Sequence, residues 1–189
     1  MKIRESGMPE ENEWNKYFKP NEALRLLGLN EGILDVADFG CGYGTFTIPA
    51  AKLISGKIYA FDIEQEMIEI IKARAKENNL NNITPILRDF MENGSGLEDF
   101  SVDYVMLFNI LHVGIPEILL KEAFRILKSD GRLGIIHWKY DATTPRGPPM
   151  NIRPKPELCK KLAEIAGFIL TKECDLEPYH YGLLFRKKH

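Results

Sequence analysis

A run of β-type residues from Ile33 to Phe39 stops at Gly40, Gly42 and Gly44 and gives way to a helical pattern. A strand that turns over bare backbone into a helix opens a βαβ unit, and it limits the chain to folds built from such units. The rest of the sequence repeats the alternation. Further strand patterns stand at Lys57–Asp62, Ile83–Arg88, Val102–Phe108 and Arg132–Trp138. The fourth is almost wholly apolar, as a strand covered on both faces is. Pro85 interrupts the third and assigns it to a sheet edge, because proline cannot donate to a neighbouring strand.

Between these runs the period lengthens towards that of a helix. Met67, Ile71 and Ala75, with Ile68 and Ile70, line one side of a helix rich in Glu and Lys. Pro116 suits a first helical turn, and Leu120, Ala123, Phe124 and Leu127 follow on one face until the Ser129-Asp130-Gly131 turn. A last helix begins near Pro156, ends before Gly167, and is expected to turn Leu158, Leu162, Ile165 and Ala166 inward. Two more strand patterns, Gly167–Cys174 and Tyr179–Arg186, are separated only by Asp175-Leu176-Glu177-Pro178. So short a connection cannot make a parallel crossover, and the pair must be antiparallel. The expected fold is α/β: a seven-stranded, mainly parallel sheet, helices on both faces, and a C-terminal antiparallel hairpin.

At 189 residues the chain suits one domain, drawn here from 1 to 189. A net charge of −2 offers no general attraction for nucleic acid or an anionic membrane. Cys41, Cys159 and Cys174 make no CxxC pair, and His112, His137, His180 and His189 show no metal-ligand spacing, so no metal site is expected. All three cysteines read as core. Met1–Gly7 lacks the apolar run of a signal peptide, and no stretch approaches the roughly 20 apolar residues of a membrane span. These features point to a cytoplasmic protein; the oligomeric state is not legible.

The chemistry concentrates at Asp38-Phe39-Gly40-Cys41-Gly42-Tyr43-Gly44-Thr45. Glycines at a helix N-terminus let a ligand lie against backbone. Asp62 closes the second strand, where an acid can accept hydrogen bonds from both hydroxyls of a ribose. The dinucleotide fingerprint G-x-G-x-x-G is not met, since Thr45 stands at the third glycine's place. Asp38 repels a pyrophosphate and suits an ammonium group. No Tyr-x-x-x-Lys pair is present either, which weighs against a nicotinamide-dependent oxidoreductase.

An acid followed by G-x-G-x-G resembles the first motif of class I S-adenosylmethionine-dependent methyltransferases. Arg88-Asp89-Phe90, Leu97–Val105 and Phe124–Leu133 resemble later motifs of that family, so the likeness runs from about Val36 to Trp138. The resemblance implies S-adenosylmethionine as cofactor and S-adenosylhomocysteine as product. It implies that Asp38, Gly40, Gly42 and Gly44 hold the methionine part, and Asp62 the ribose. It places Ile63, Asp89 and Phe90 at the adenine, and Asn109 near the sulfonium methyl.

His112 and His137, after strand ends, are the candidate general bases if the nucleophile is protonated. The long segment Tyr140–Pro156 is expected to line the acceptor site, with Arg146 or Arg153 meeting an anion, beside Trp138. The stretch Trp14-Asn15-Lys16-Tyr17-Phe18, within residues 1–20, is read as a lid, with Tyr17 towards the substrate. The general look is similar to the ubiquinone/menaquinone small-molecule branch, so a small-molecule acceptor is expected. No Pro-Pro-aromatic motif follows Asn109, which disfavours DNA adenine, and the cysteines form no arsenic-binding set. The alternative is a non-catalytic domain that binds the cofactor and serves as a subunit or interaction module.

Overall fold

A computed structural model of the chain describes residues 11–188. The readings made on Met1–Gly7, on the first ten residues of the lid and on His189 lie outside them. Seven strands form one sheet in the order β3-β2-β1-β4-β5-β7-β6. They are β1 (Val36–Phe39), β2 (Ile58–Asp62), β3 (Ile83–Leu87), β4 (Val102–Phe108), β5 (Leu127–Trp138), β6 (Phe168–Leu176) and β7 (His180–Lys187). Neighbours from β3 to β5 pair in parallel, and β7 runs antiparallel to both β5 and β6. Pro85 lies on β3, at the edge, as a residue with no N–H to offer requires.

The helices are α1 (Glu11–Trp14), α2 (Pro20–Leu26), α3 (Thr47–Leu53), α4 (Gln65–Glu77), α5 (Phe90–Asn93), α6 (Pro116–Ile126) and α7 (Pro156–Ile165). A single turn of 3-10 helix, Asn15–Tyr17, follows α1. Two apolar clusters sandwich the sheet. One joins α2, α3 and α4 to Ile58, Ala60, Met106 and Ile136; the other joins α5, α6 and α7 to Phe61, Val105, Leu107 and Ile135. Alternate residues of each strand serve opposite clusters, which is why the strands read as continuously apolar.

Two boundaries differ from the sequence reading. Leu127 is extended, not the last turn of α6, and pairs with Val102 before the register shifts and Arg132 meets Tyr104. Residues between those pairs bulge from the ladder, so the Ser129-Asp130-Gly131 turn sits inside β5. On α7 the inward residues are Cys159 and Ala163, while Leu158 and Ile165 are 46% and 68% exposed. Small side chains let the helix approach β7 closely enough for the Cys159 thiol to meet the Tyr181 hydroxyl at 3.4 Å.

The chain runs outward from β1 to β3 and then crosses back to place β4 beside β1. At such a reversal the connections leave the carboxyl ends of adjacent strands in opposite directions, which opens a crevice there. The glycine run leaves β1 and Asn109 leaves β4, so both face that crevice.

Candidate functional site

Gly40, Gly42 and Gly44 all have positive φ, at 76°, 51° and 78°. A Cβ on Gly40 would fall 2.8 Å from Ile110 Cδ1, and one on Gly44 would fall 2.6 Å from Ile71 Cδ1. The turn is therefore closed to side chains by conformation and by space. Asp62 holds it from the next strand: its carboxylate accepts from Gly42 N–H at 2.9 Å and from Glu64 N–H at 3.0 Å. Each oxygen keeps a lone pair for a further donor.

Asp38 is 3% exposed, and its carboxylate accepts from Thr47 Oγ1 at 2.6 Å. Burial raises its carboxyl to about 7; the Thr47 bond opposes this and the nearby Asp62 charge adds to it. Burial likewise raises Asp62. Two desolvated acids at the ends of adjacent strands, with bare backbone between them, fit a ligand that brings an ammonium to one and hydroxyl donors to the other. The fit to S-adenosylmethionine is therefore good on the chain's own geometry.

The pH consequence has a definite sign. In the ligand-free protein Asp38 titrates near 7, above the usual aspartate value of about 3.9 in an unfolded chain. From this group the protein loses stability as pH rises from about 4 to 7. A bound ammonium favours the ionised carboxylate, so binding expels a proton below pH 7. Cofactor affinity is expected to rise with pH from 6 to 8 through this group, and Asp38→Asn to flatten that rise. Titrations across this range in buffers of different ionisation enthalpy check both the slope and the proton release.

Asn109 follows β4 with φ 55°, its N–H fixed to Ile136 O at 2.7 Å. Both its side-chain amide atoms are buried and without a hydrogen-bond partner among the described residues. Ile63 is half-buried beside Asp62. Asp89 caps α5, accepting from Met91 and Glu92 N–H at 3.1 and 3.2 Å. Phe90 is 4% exposed and packs edge-on against Phe39, as a core side chain does.

The histidines correct the expectation of a general base. His137 is fully buried, 5.6 Å ring to ring from His112, and burial holds it well below the ordinary imidazole value. His112 is 8% exposed, and burial lowers it to about 4, which makes it a neutral and weakly basic side chain at pH 7.

Arg153 is also corrected. It is 7% exposed, and its five N–H groups go to Pro148, Lys139, Asp141 and Arg146 carbonyls and to Thr144 Oγ1. None is left for an anion. Arg153 pins the loop that lies over Trp138, where a Cβ on Gly147 would fall 2.8 Å from the indole. Arg153→Ala is expected to cost about 2 kcal/mol or more and to make the loop protease-sensitive, read by thermal unfolding and limited proteolysis. Arg146 is exposed, and its charge reaches Glu13.

The segment 11–18 covers the same region. Trp14, Tyr17 and Phe18 stand 6.2, 5.6 and 6.0 Å from the Trp138 ring, and Trp138 is fully buried beneath them. Trp138 is thus a floor, and Tyr17, half-buried, is the ring nearer the surface. Asn15 accepts from Thr45 Oγ1 at 2.9 Å, and Glu11 pairs with Arg74, which also donates to Tyr43 O in the glycine turn. Sequence reading missed Thr47, Arg74 and His180. Thr47 carried a signal, as a hydroxyl in the first turn after the glycines; the other two depend on tertiary contacts.

Among the described residues no three His, Cys, Asp or Glu converge on a metal site, and no helix is long and apolar enough to cross a membrane. Comparison with known proteins identifies the family. A family model described as "Methyltransferase domain" matches residues 31–176. A crystal structure of an S-adenosylmethionine-dependent methyltransferase from Aquifex aeolicus superposes with TM-score 0.82 at 27% identity, covering 91% of each chain. Demethylmenaquinone methyltransferase of Lactobacillus johnsonii is 29% identical over 133 residues, 67% of this chain and 50% of that protein. Ribosomal protein L11 methyltransferase of Caldanaerobacter subterraneus is 31% identical over 113 residues, 59% of this chain and 35% of that protein. The chain thus spans half or less of these two curated relatives. With the glycine turn, the two buried acids and the seven-stranded sheet in place, the chain belongs to the methyltransferase-domain family, class I, whose cofactor is S-adenosylmethionine.

Proposed function

We propose that this chain, acting as one cytoplasmic domain, moves the sulfonium methyl of S-adenosylmethionine to a nucleophile on a small-molecule acceptor. The observation that carries the reading is the pair of buried carboxylates, Asp38 and Asp62, flanking the positive-φ glycines at the reversal of the sheet. The cofactor supplies an electrophilic methyl, so the work left to the protein is alignment and exclusion of water. Asp38 balances the ammonium, Asp62 accepts from the ribose, and the glycines admit the chain between them. Asn109, with two unpartnered amide atoms, is oriented by its own backbone bond to Ile136 and is the residue we assign to the reacting end. The aromatic cover and the Arg153-pinned loop close the acceptor side, which supports a small acceptor over a folded protein surface.

The test is methyl transfer from labelled cofactor, comparing fractionated small metabolites with purified ribosomal protein. Label in the small-molecule fractions supports the reading, and label only in protein overturns the acceptor class. No transfer to any acceptor, with cofactor binding intact, favours the non-catalytic alternative. Asn109→Gly removes the amide yet accepts the positive φ. It is expected to lower kcat roughly 10- to 100-fold with cofactor affinity changed little.

A further inference from the structure

A cleft of about 490 Å³, counting its open mouth, lies between the aromatic cover and the β6–β7 hairpin. Tyr17, Phe18 and Phe46 form its walls, and His180 lines it more deeply. His180 is 2% exposed, held between Phe18 at 4.3 Å and Trp138 at 4.2 Å, and its Nε2 has no hydrogen-bond partner among the described residues. His112, His137 and Trp138 also carry buried ring nitrogens without partners among the described residues, but His180 alone of the four lines this cleft, which puts its free nitrogen within reach of a ligand. Burial keeps the imidazole neutral, lowered to about 3, so it can accept an N–H.

The charge at the mouth is negative. Three carboxylates, Glu22, Asp175 and Glu177, and one cation, Lys19, line it. Lys139 takes up two, at 2.7 Å from Asp175 and 3.3 Å from Glu177. Among the described residues Glu22 pairs with Lys19, at 3.9 Å, with both side chains more than 60% exposed, a pairing too solvated to quench its charge. An unquenched carboxylate, aromatic faces and a neutral ring acceptor are together the chemistry that holds an alkylammonium.

The cleft borders the residues around Asn109. Phe46 packs edge-on against Phe108 at 4.9 Å, and Ile136, which lines the cleft, fixes Asn109 N–H through its carbonyl. We infer that this cleft anchors the methyl acceptor, and that the acceptor is a small molecule carrying an ammonium group on an aromatic or apolar body. The inference rests on the methyl-transfer reading above. The ammonium sits near Glu22 with an N–H towards His180, the body lies along the wall that Phe18 and Phe46 form by packing edge-on at 5.3 Å, and the nucleophile is at the far end towards Asn109.

The test uses the full chain, titrated calorimetrically with and without saturating S-adenosylhomocysteine. The probes are 2-phenylethylamine, its neutral counterpart 2-phenylethanol, and the anionic 3-phenylpropionate. The amine is expected to bind at least about tenfold more tightly than the alcohol, and the carboxylate not at all. Glu22→Gln, at an exposed position, is expected to weaken the amine about tenfold and leave the alcohol unchanged. Equal binding of amine and alcohol, no amine binding, or indifference to Glu22→Gln overturns the inference. Failure of S-adenosylhomocysteine to bind is the separate failure of the methyl-transfer reading; its binding without any amine preference sinks the cleft assignment alone.

Discussion

Asp62→Ala is expected to weaken S-adenosylmethionine at least about 100-fold while the protein stays folded. The carboxylate offers two charge-assisted acceptors to the ribose, each worth about 1.5–3 kcal/mol. It also aligns the turn through Gly42 N–H at 2.9 Å, so its removal loosens the backbone that the ligand lies against. Folding itself gains little from this side chain, because burial raises its carboxyl and so disfavours the charged form in the native state. Asp62→Asn keeps one acceptor and loses the charge; an intermediate loss of about tenfold is expected. Calorimetric titration of the three proteins, with thermal unfolding alongside, checks both halves. A fold lost together with binding would make Asp62 structural and remove it from the site.

A large loss of stability is expected for Gly134→Ala. Gly134 lies in β5 between β4 and β7, and an added Cβ would fall 2.1 Å from Tyr104 Oη and 2.9 Å from its Cζ. Tyr104 cannot retreat. It is fully buried, and its hydroxyl donates to Leu27 O at 2.9 Å, tying the sheet to the turn after α2. Overpacking against fixed neighbours costs about 3 kcal/mol or more, and for a chain of this size that lowers Tm by roughly 6–12 °C. Tyr104→Phe on that background relieves the nearer clash yet orphans the Leu27 carbonyl, so partial recovery is expected. Gly114→Ala is the control, since a Cβ there meets nothing within 4 Å. Thermal unfolding of the four proteins decides the matter.

What the sequence disclosed, and what it hid, divides along the range of the interactions. Pro85 marked an edge strand because a missing N–H is a property of one residue. The antiparallel close was legible because four residues cannot cross a sheet. The placement of Asp38, the glycines and Asp62 at adjacent strand ends was legible because it follows from consecutive elements of one βαβ unit. The bulge that absorbs Ser129–Gly131 was hidden, since it arises from how β5 pairs with β4. The rotation of α7 was hidden because Cys159 and Ala163 carry weaker apolar signals than the Leu158 and Ile165 they displace. The region around Trp138 was the least legible part. His180 meets Trp138 only through the β5–β7 register, where the two are partners, and Arg153 looked like an anion contact until its donors were seen spent on loop carbonyls.

The same division bears on the three cysteines. Burial raises Cys41 and Cys159, and Cys174 accompanies them less deeply, so none is an activated thiol. Their value is volume, as the sequence reading held.

The most direct measurement is a calorimetric titration of the full chain with S-adenosylhomocysteine, with NAD in parallel. The account predicts one-to-one binding of S-adenosylhomocysteine in the micromolar range and none of NAD. Absence of S-adenosylhomocysteine binding, or equal binding of NAD, would contradict the assignment of Asp38, the glycine turn and Asp62 as the cofactor site.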